Sequence, residues 1–160
     1  MKYNLVQLLA QCEYELAAVG VVTGTVKEIK YNPRFTSTWG RCEKLENGLF
    51  IIELSKAHEK VAEKFIKDSI IHELLHTCKG CYNHGAEWKR LAQKVNEAYG
   101  YNIKRTATDS EMGLSEIQTC KHLLKCEKCG DRFPRMRTDT AVKNPSRFSC
   151  HCGGKLIKIF

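Results

Sequence analysis

The sequence predicts an α+β protein, with helices packed on a short antiparallel sheet and a small cysteine-held domain at the C-terminus. Three observations predict it. Apolar residues recur at helical spacing in three segments. A stretch rich in Val, Ile, Thr and aromatics, broken by turn signals, lies between the first and second. Two cysteine pairs, Cys126/Cys129 and Cys150/Cys152, stand near the end of the chain. A length of 160 residues accommodates one ordinary domain with a single core and an appendage stabilised by some other means.

Leu5, Leu8, Leu9, Cys12 and Leu16 mark a first helix over about residues 3 to 18, stopped by Gly20. Between Val21 and Leu54 the turn signals Asn32-Pro33 and Asn47-Gly48 divide a small antiparallel sheet, whose best-marked strands are Thr36 to Cys42 and Leu49 to Leu54. Ser55 can cap the next helix, in which Val61, Phe65, Ile66, Ile70, Leu74 and Leu75 form a wide apolar stripe ending near Lys79-Gly80. A last long helix runs from about Ala86 to Tyr99, with Trp88, Leu91, Ala92 and Val95 inward and Gly100 as a left-handed stop. Periodicity ends there. The expected organisation is a domain at 1–105, a linker at 106–119 and a basic domain at 120–160.

A composition of 42% hydrophobic and 28% charged residues, with no apolar run near the ~20 residues of a membrane span, argues against a membrane protein. Leu8-Leu9-Ala10-Gln11-Cys12 superficially matches a lipoprotein cleavage site, but Gln11 stands where a small residue is required and polar residues interrupt the apolar segment. The expectation is therefore a cytoplasmic chain whose nine cysteines are metal ligands and free thiols. Residues 1–119 hold 16 Lys/Arg against 15 Asp/Glu, whereas residues 120–160 hold 10 against 3. Nearly all of the net charge of +8 thus belongs to the tail, which points to a polyanionic partner such as nucleic acid.

His72-Glu73-Leu74-Leu75-His76 carries the chemistry. Two histidines four apart on a helix project from one face and can share one ion, while Glu73 reaches a bound water without being a ligand. With 6 His in 160 residues, composition alone yields roughly 0.02 such matches, so chance is a poor explanation. A catalytic zinc takes three protein ligands and keeps one position open. His84, placed after the helix break and before the next helix, is the best third ligand, with Glu87 as its rival. Such a site suits hydrolysis of a peptide bond, with Glu73 as general base.

The segment His72 to Trp88, with Asn83-His84-Gly85 and Glu87-Trp88-Lys89 after the helix motif, resembles the SprT-like metalloprotease family. Trp39-Gly40, Ile51 to Ser55 and the ending Cys152-Gly153-Gly154-Lys155-Leu156 follow the same order of elements, so the resemblance covers about residues 5 to 160. It implies a small zincin-like metallopeptidase domain followed by a zinc ribbon, with His72, His76 and His84 as zinc ligands and Glu73 as base. It also implies kinship with bacterial SprT and with the eukaryotic spartan proteases, which degrade proteins crosslinked to DNA.

Cys126, Cys129, Cys150 and Cys152 can close a second, structural zinc site, which would explain how so small a tail folds. The spacing Cys150-His151-Cys152 departs from the usual ribbon, which has two residues between its second pair. His151, Cys120 and His122 are therefore alternative fourth ligands. Cys78 and Cys81, beside the helix end, read as free thiols. Around the ribbon, Lys125, Lys128, Arg132, Arg135, Arg137 and Arg147 are interleaved with Phe133 and Phe148, a pattern suited to single-stranded or distorted DNA, although either ring can equally be core. Trp39 reads as packing beneath the active-site helix.

The expected function is a zinc endopeptidase acting on DNA-bound or DNA-crosslinked proteins. Two other readings stay open: a non-enzymatic zinc-dependent DNA-binding or regulatory protein, and a general metallopeptidase without a DNA role.

Overall fold

The computed structural model describes residues 3–35, 37–108, 110–114 and 120–160. The chain divides into two compact units, Met1–Thr108 and Asp109–Phe160. No helix among the described residues is long and apolar enough to cross a membrane.

In the first unit Asn4 caps helix α1 (Leu5–Ala18), its side chain accepting from the amides of Val6 and Gln7 at 3.1 and 3.2 Å. Leu5, Leu8, Leu9, Cys12 and Leu16 are its buried stripe, as the spacing predicts. That stripe packs toward α2 (Glu63–Leu75), where Ile66, Ile70, Ile71, Leu74 and Leu75 are fully buried.

The sheet is mixed, which corrects the antiparallel expectation. Its order is β1 (Val26–Asn32), β3 (Phe50–Ser55), β2 (Gly40–Lys44). The β2–β3 hairpin is antiparallel across the Asn47-Gly48 turn, where Gly48 takes φ 81°. Once that hairpin occupies one edge of β3, β1 can add only to the other, and it does so parallel. None of the residues of β1 is buried, so its alternation is too weak to mark it in the sequence. The strand expected at Thr36 to Cys42 instead spans Gly40–Lys44, because Asn32 folds the following residues into a turn through bonds to Arg34 and Phe35. Thr36 itself lies outside the described residues.

Ser55 caps a 3-10 turn, Lys56–Lys60, rather than α2. The cause is His58, which is drawn fully inside: its Nδ1 donates to the Ser55 carbonyl at 2.9 Å and its Nε2 accepts from the Ser69 hydroxyl at 2.8 Å. Trp39, expected beneath the active-site helix, stands edge-on to that ring of the 3-10 turn at 5.1 Å. Helix α2 also ends sooner than Lys79. After Leu75 the amides of His76, Thr77 and Cys78 bond carbonyls three residues back, tightening the last turn until Gly80 reverses the chain at φ 80°. Helix α3 (Ala86–Tyr99) has the expected bounds, and its inner side is Trp88, Leu91, Ala92 and Val95.

Residues just past α3 are pinned to this unit. Asn96 holds Ile103 through two bonds, accepting from its amide at 2.8 Å and donating to its carbonyl at 2.9 Å, and Asp68 accepts from the Asn102 amide at 3.0 Å. Asp109 and residues 115–119, within the expected linker, lie outside the described residues.

The second unit contains a three-stranded antiparallel sheet ordered β5 (Arg132–Arg135), β4 (His122–Cys126), β6 (Leu156–Lys158). One turn of helix, α4 (Thr140–Lys143), is capped by Asp139. A small core of Leu124, Cys126, Cys150 and Leu156, edged by Phe133, Ala141 and Cys152, fills one face of the sheet.

Candidate metal centre and active site

Helix α2 presents His72 and Glu73 from its last turn and His76 from its C-cap. The reversal at Gly80 then returns the chain so that His84 precedes α3. Nε2 of His84 lies 3.0 Å from Nε2 of His72 and 3.2 Å from Nε2 of His76. Beneath the three rings lies the buried indole of Trp88, with centroids 4.8, 5.8 and 4.6 Å from His72, His76 and His84.

The far nitrogens fix which ring nitrogen donates. Nδ1 of His72 faces the Lys104 carbonyl at 3.0 Å, and Nδ1 of His76 faces the Cys81 carbonyl at 2.8 Å. A carbonyl only accepts, so both rings carry hydrogen at Nδ1 and turn a bare Nε2 lone pair inward. Burial, reinforced by the two neighbouring imidazoles, pushes His72 down to about 4, and burial also lowers His84. Neutral rings with converging lone pairs are what a cation requires. Tetrahedral zinc with bonds of ~2.0–2.1 Å holds its nitrogens about 3.3 Å apart, close to the spacing of this trio.

Glu73 is 6% exposed, and burial raises its carboxyl to about 8 against the opposing pull of the Cys42 amide, which donates to it. It abuts Gly40, where an added Cβ would lie 2.5 Å from Oε1. Glu73 and the three imidazoles line one cavity of about 300 Å³, together with Gly40, Cys42 and Lys44 of β2 and Tyr82 of the ligand loop. Glu87 is not part of this group: it is exposed and bound to Arg90 at 2.6 Å.

The four cysteines of the second unit also converge, their sulfurs all lying within 4.8 Å of one another. Cys126 and Cys152 are 3.5 Å apart, as are Cys129 and Cys150. Sulfurs on a tetrahedral zinc at ~2.3 Å stand about 3.8 Å apart, so this set too can hold a metal. The Cys129 amide donates toward the Cys126 sulfur and helps push that thiol down to about 6. Gly154 lets the second knuckle close, since a Cβ there would press on the Cys126 sulfur at 2.5 Å. The short Cys150-His151-Cys152 spacing therefore still gathers four sulfurs. His151 instead sits beside Cys150 and Asp131, at 3.4 and 3.6 Å, and His122 bonds Thr138. Cys120 is outside the cluster. Cys78 and Cys81 are buried thiols without a disulfide.

Among the basic residues, Lys125 and Arg132 are cross-strand partners on one sheet face, while Arg135 points the other way beside Asp139 at 3.6 Å. Lys128 caps the Cys152 carbonyl, and Arg137 and Arg147 are exposed. Phe133 packs on the core, whereas Phe148 is 39% exposed. Sequence reasoning missed the cavity wall on β2 and the carbonyls of Cys81 and Lys104. Main-chain acceptors leave no residue-type signal.

Two comparisons with known proteins bear on this constellation. Residues 13–107 match the family described as the SprT-like family. The chain is also similar to a protein from Staphylococcus saprophyticus subsp. saprophyticus named "Protein SprT-like", at 30% identity over 136 residues, covering 81% of this chain and 79% of the relative.

Proposed function

This chain belongs to the SprT-like family, and on that premise we propose that it is a zinc-dependent endopeptidase acting on proteins bound or crosslinked to DNA. The observation that carries the reading is the convergence of three imidazoles and one buried carboxyl on a single open cavity. Zinc held by His72, His76 and His84 would supply Lewis acidity, polarising a peptide carbonyl and easing deprotonation of water. Everything else falls to the chain's own side chains. Glu73, which the positive charge of that ion would draw back to its ionised form against the effect of burial, takes the proton of the attacking water at its carboxylate and returns it to the leaving amine. The Cys42 amide favours the ionised form of that carboxylate. Lys104 and Cys81 hold His72 and His76 in the tautomer that leaves Nε2 free.

The free edge of β2 offers the substrate a place to lie, because among the described residues β2 pairs with β3 on one side only and borders the cavity. An extended peptide added there runs past Glu73 with its backbone hydrogen-bonded. The second unit would hold a structural zinc on Cys126, Cys129, Cys150 and Cys152, and its basic side chains would follow nucleic-acid phosphates, with exposed Phe148 available for stacking on an unpaired base. Location in the cytoplasm completes the reading.

The test is the zinc-loaded chain offered a DNA-binding protein with and without DNA. Cleavage is expected to depend on DNA and to fall about 10²- to 10⁴-fold in Glu73→Gln, with zinc content unchanged. Absence of Glu73-dependent cleavage removes the peptidase, and cleavage indifferent to DNA removes the recruitment.

A further inference from the structure

The Ser55 amide donates to the Trp39 carbonyl at 2.8 Å, and the Leu45 amide donates to the Leu49 carbonyl at 2.8 Å. Odd-numbered residues of this strand therefore bond toward β3, and Gly40, Cys42 and Lys44 turn their amides and carbonyls to the free edge. By the same alternation the side chains of these three residues share the sheet face that abuts Glu73. Lys44 thus ends the wall of the cleft. Its Nζ donates to the Tyr82 hydroxyl at 3.1 Å and lies 5.3 Å from the centre of that ring, across the mouth of the cavity.

The charges around this cavity are unequal in what they already face. Arg41 is engaged by Glu53 at 2.6 Å and approaches Glu43 at 3.8 Å. Lys44 has no carboxylate within ion-pair distance among the described residues; it donates to a neutral hydroxyl, which leaves ammonium hydrogens free for a ligand. An ammonium oriented at the end of a peptide-binding edge and lacking a counter-ion is a receptor for one.

We infer that Lys44 and Tyr82 form a subsite for a carboxylate side chain, so that the favoured substrate is an extended segment bearing Asp or Glu about two residues from the cut bond. This rests on the peptidase reading above. The spacing follows from the strand: the peptide bond to be cut lies by Glu73 and Cys42, and the next side-chain position on the same face lies by Lys44. Tyr82 holds the ammonium in place and adds its own hydroxyl, and Phe50, opposite Lys44 in the hairpin, forms a buried floor.

The experiment uses the full zinc-loaded chain and peptides differing only by Glu, Gln or Lys at each position around the cut, at ionic strength that screens the basic tail. Binding of the same peptides to the Glu73→Gln protein is measured by fluorescence anisotropy. At one position Glu should exceed Gln about fivefold to tenfold in kcat/KM. Lys44→Met should level that preference, and Lys44→Glu should turn it toward Lys. Cleavage without a charge preference, or a preference that survives Lys44→Met, overturns the inference and leaves the peptidase standing. Glu-selective, Lys44-dependent binding without cleavage sustains the subsite and removes the peptidase. Neither binding nor cleavage removes both.

Discussion

A methyl group at Gly40 would meet Glu73 at 2.5 Å from Oε1, 3.0 Å from Cγ and 3.1 Å from Cδ, so the glycine is what lets the carboxyl lie against the edge strand. Gly40→Ala is therefore expected to displace Glu73 more than it unfolds the domain. Activity should fall about 10²-fold while zinc stays bound and stability drops by about 1–3 kcal/mol. Comparing kcat, bound zinc and thermal midpoint of this variant checks it, and an unchanged kcat would dismiss the contact. His58 supplies a pH dependence of another kind. Burial between Ser55 and Ser69 lowers its pKa from 6.5 to about 4, so the unfolded chain takes a proton that the folded chain refuses. Its stabilising effect is complete above the unfolded value near 6.5 and is lost progressively as pH falls toward 4, by up to about 3 kcal/mol. Ring-proton NMR should show His58 neutral until about pH 4, alongside a falling urea midpoint over the same range. A midpoint of ring titration near 6.5 would dismiss this assignment.

The elements carry the site in ways that single residues do not reveal. Helix α3 acts at a distance on His72: Asn96 grips Ile103 from both sides, and the next carbonyl, that of Lys104, meets Nδ1 of His72. Asn96→Ala frees that segment and should weaken zinc at the histidine site about 10- to 100-fold, measured by chelator competition against the cysteine site in the same chain. Tyr99→Phe, which removes a bond from α3 to the Glu15 carbonyl, should leave zinc affinity alone. Equal affinity in Asn96→Ala and wild type would reduce Asn96 to an ordinary structural clamp. These elements also separate what was legible from what was not. Helices α1 and α3 and the β2–β3 hairpin announce themselves because their apolar period and turn residues are local, and His72, Glu73 and His76 share one helical turn. Strand β1 and the Asn96 brace stay hidden for a common reason: the first buries nothing of its own, and the second joins a side chain to a backbone group whose identity leaves no trace in residue type. The 3-10 turn at Lys56–Lys60 was misread because Ser55 is a good cap for either helix, and the choice is made by His58 bonding Ser69, eleven residues on.

At the scale of the whole molecule, one treatment should produce two different outcomes. Met1–Thr108 has an apolar core running through α1, β3, α2 and α3, with Leu16, Ile52, Leu54, Ile66, Ile70 and Trp88 almost fully buried, and its histidines lie at the border of that core. The sheet of the other unit rests on a cluster of Leu124, Cys126, Cys150 and Leu156, in which half of the buried members are themselves metal-ligand candidates. An apolar cluster that small cannot offset the ordering of the surrounding chain, so its folding free energy has to come from the metal. A strong chelator should therefore silence the histidine site while α1, α2 and α3 keep their amide protection, and at the same time release the amides of β4, β5 and β6. Hydrogen exchange read by mass spectrometry resolves the two units in one experiment. Cys129→Ser should reproduce the second effect without the first, leaving the histidine site charged with zinc. Protection of β4 to β6 that persists in metal-free protein would show that the four sulfurs converge for packing alone, because a sheet that stands without its ion owes the ion nothing.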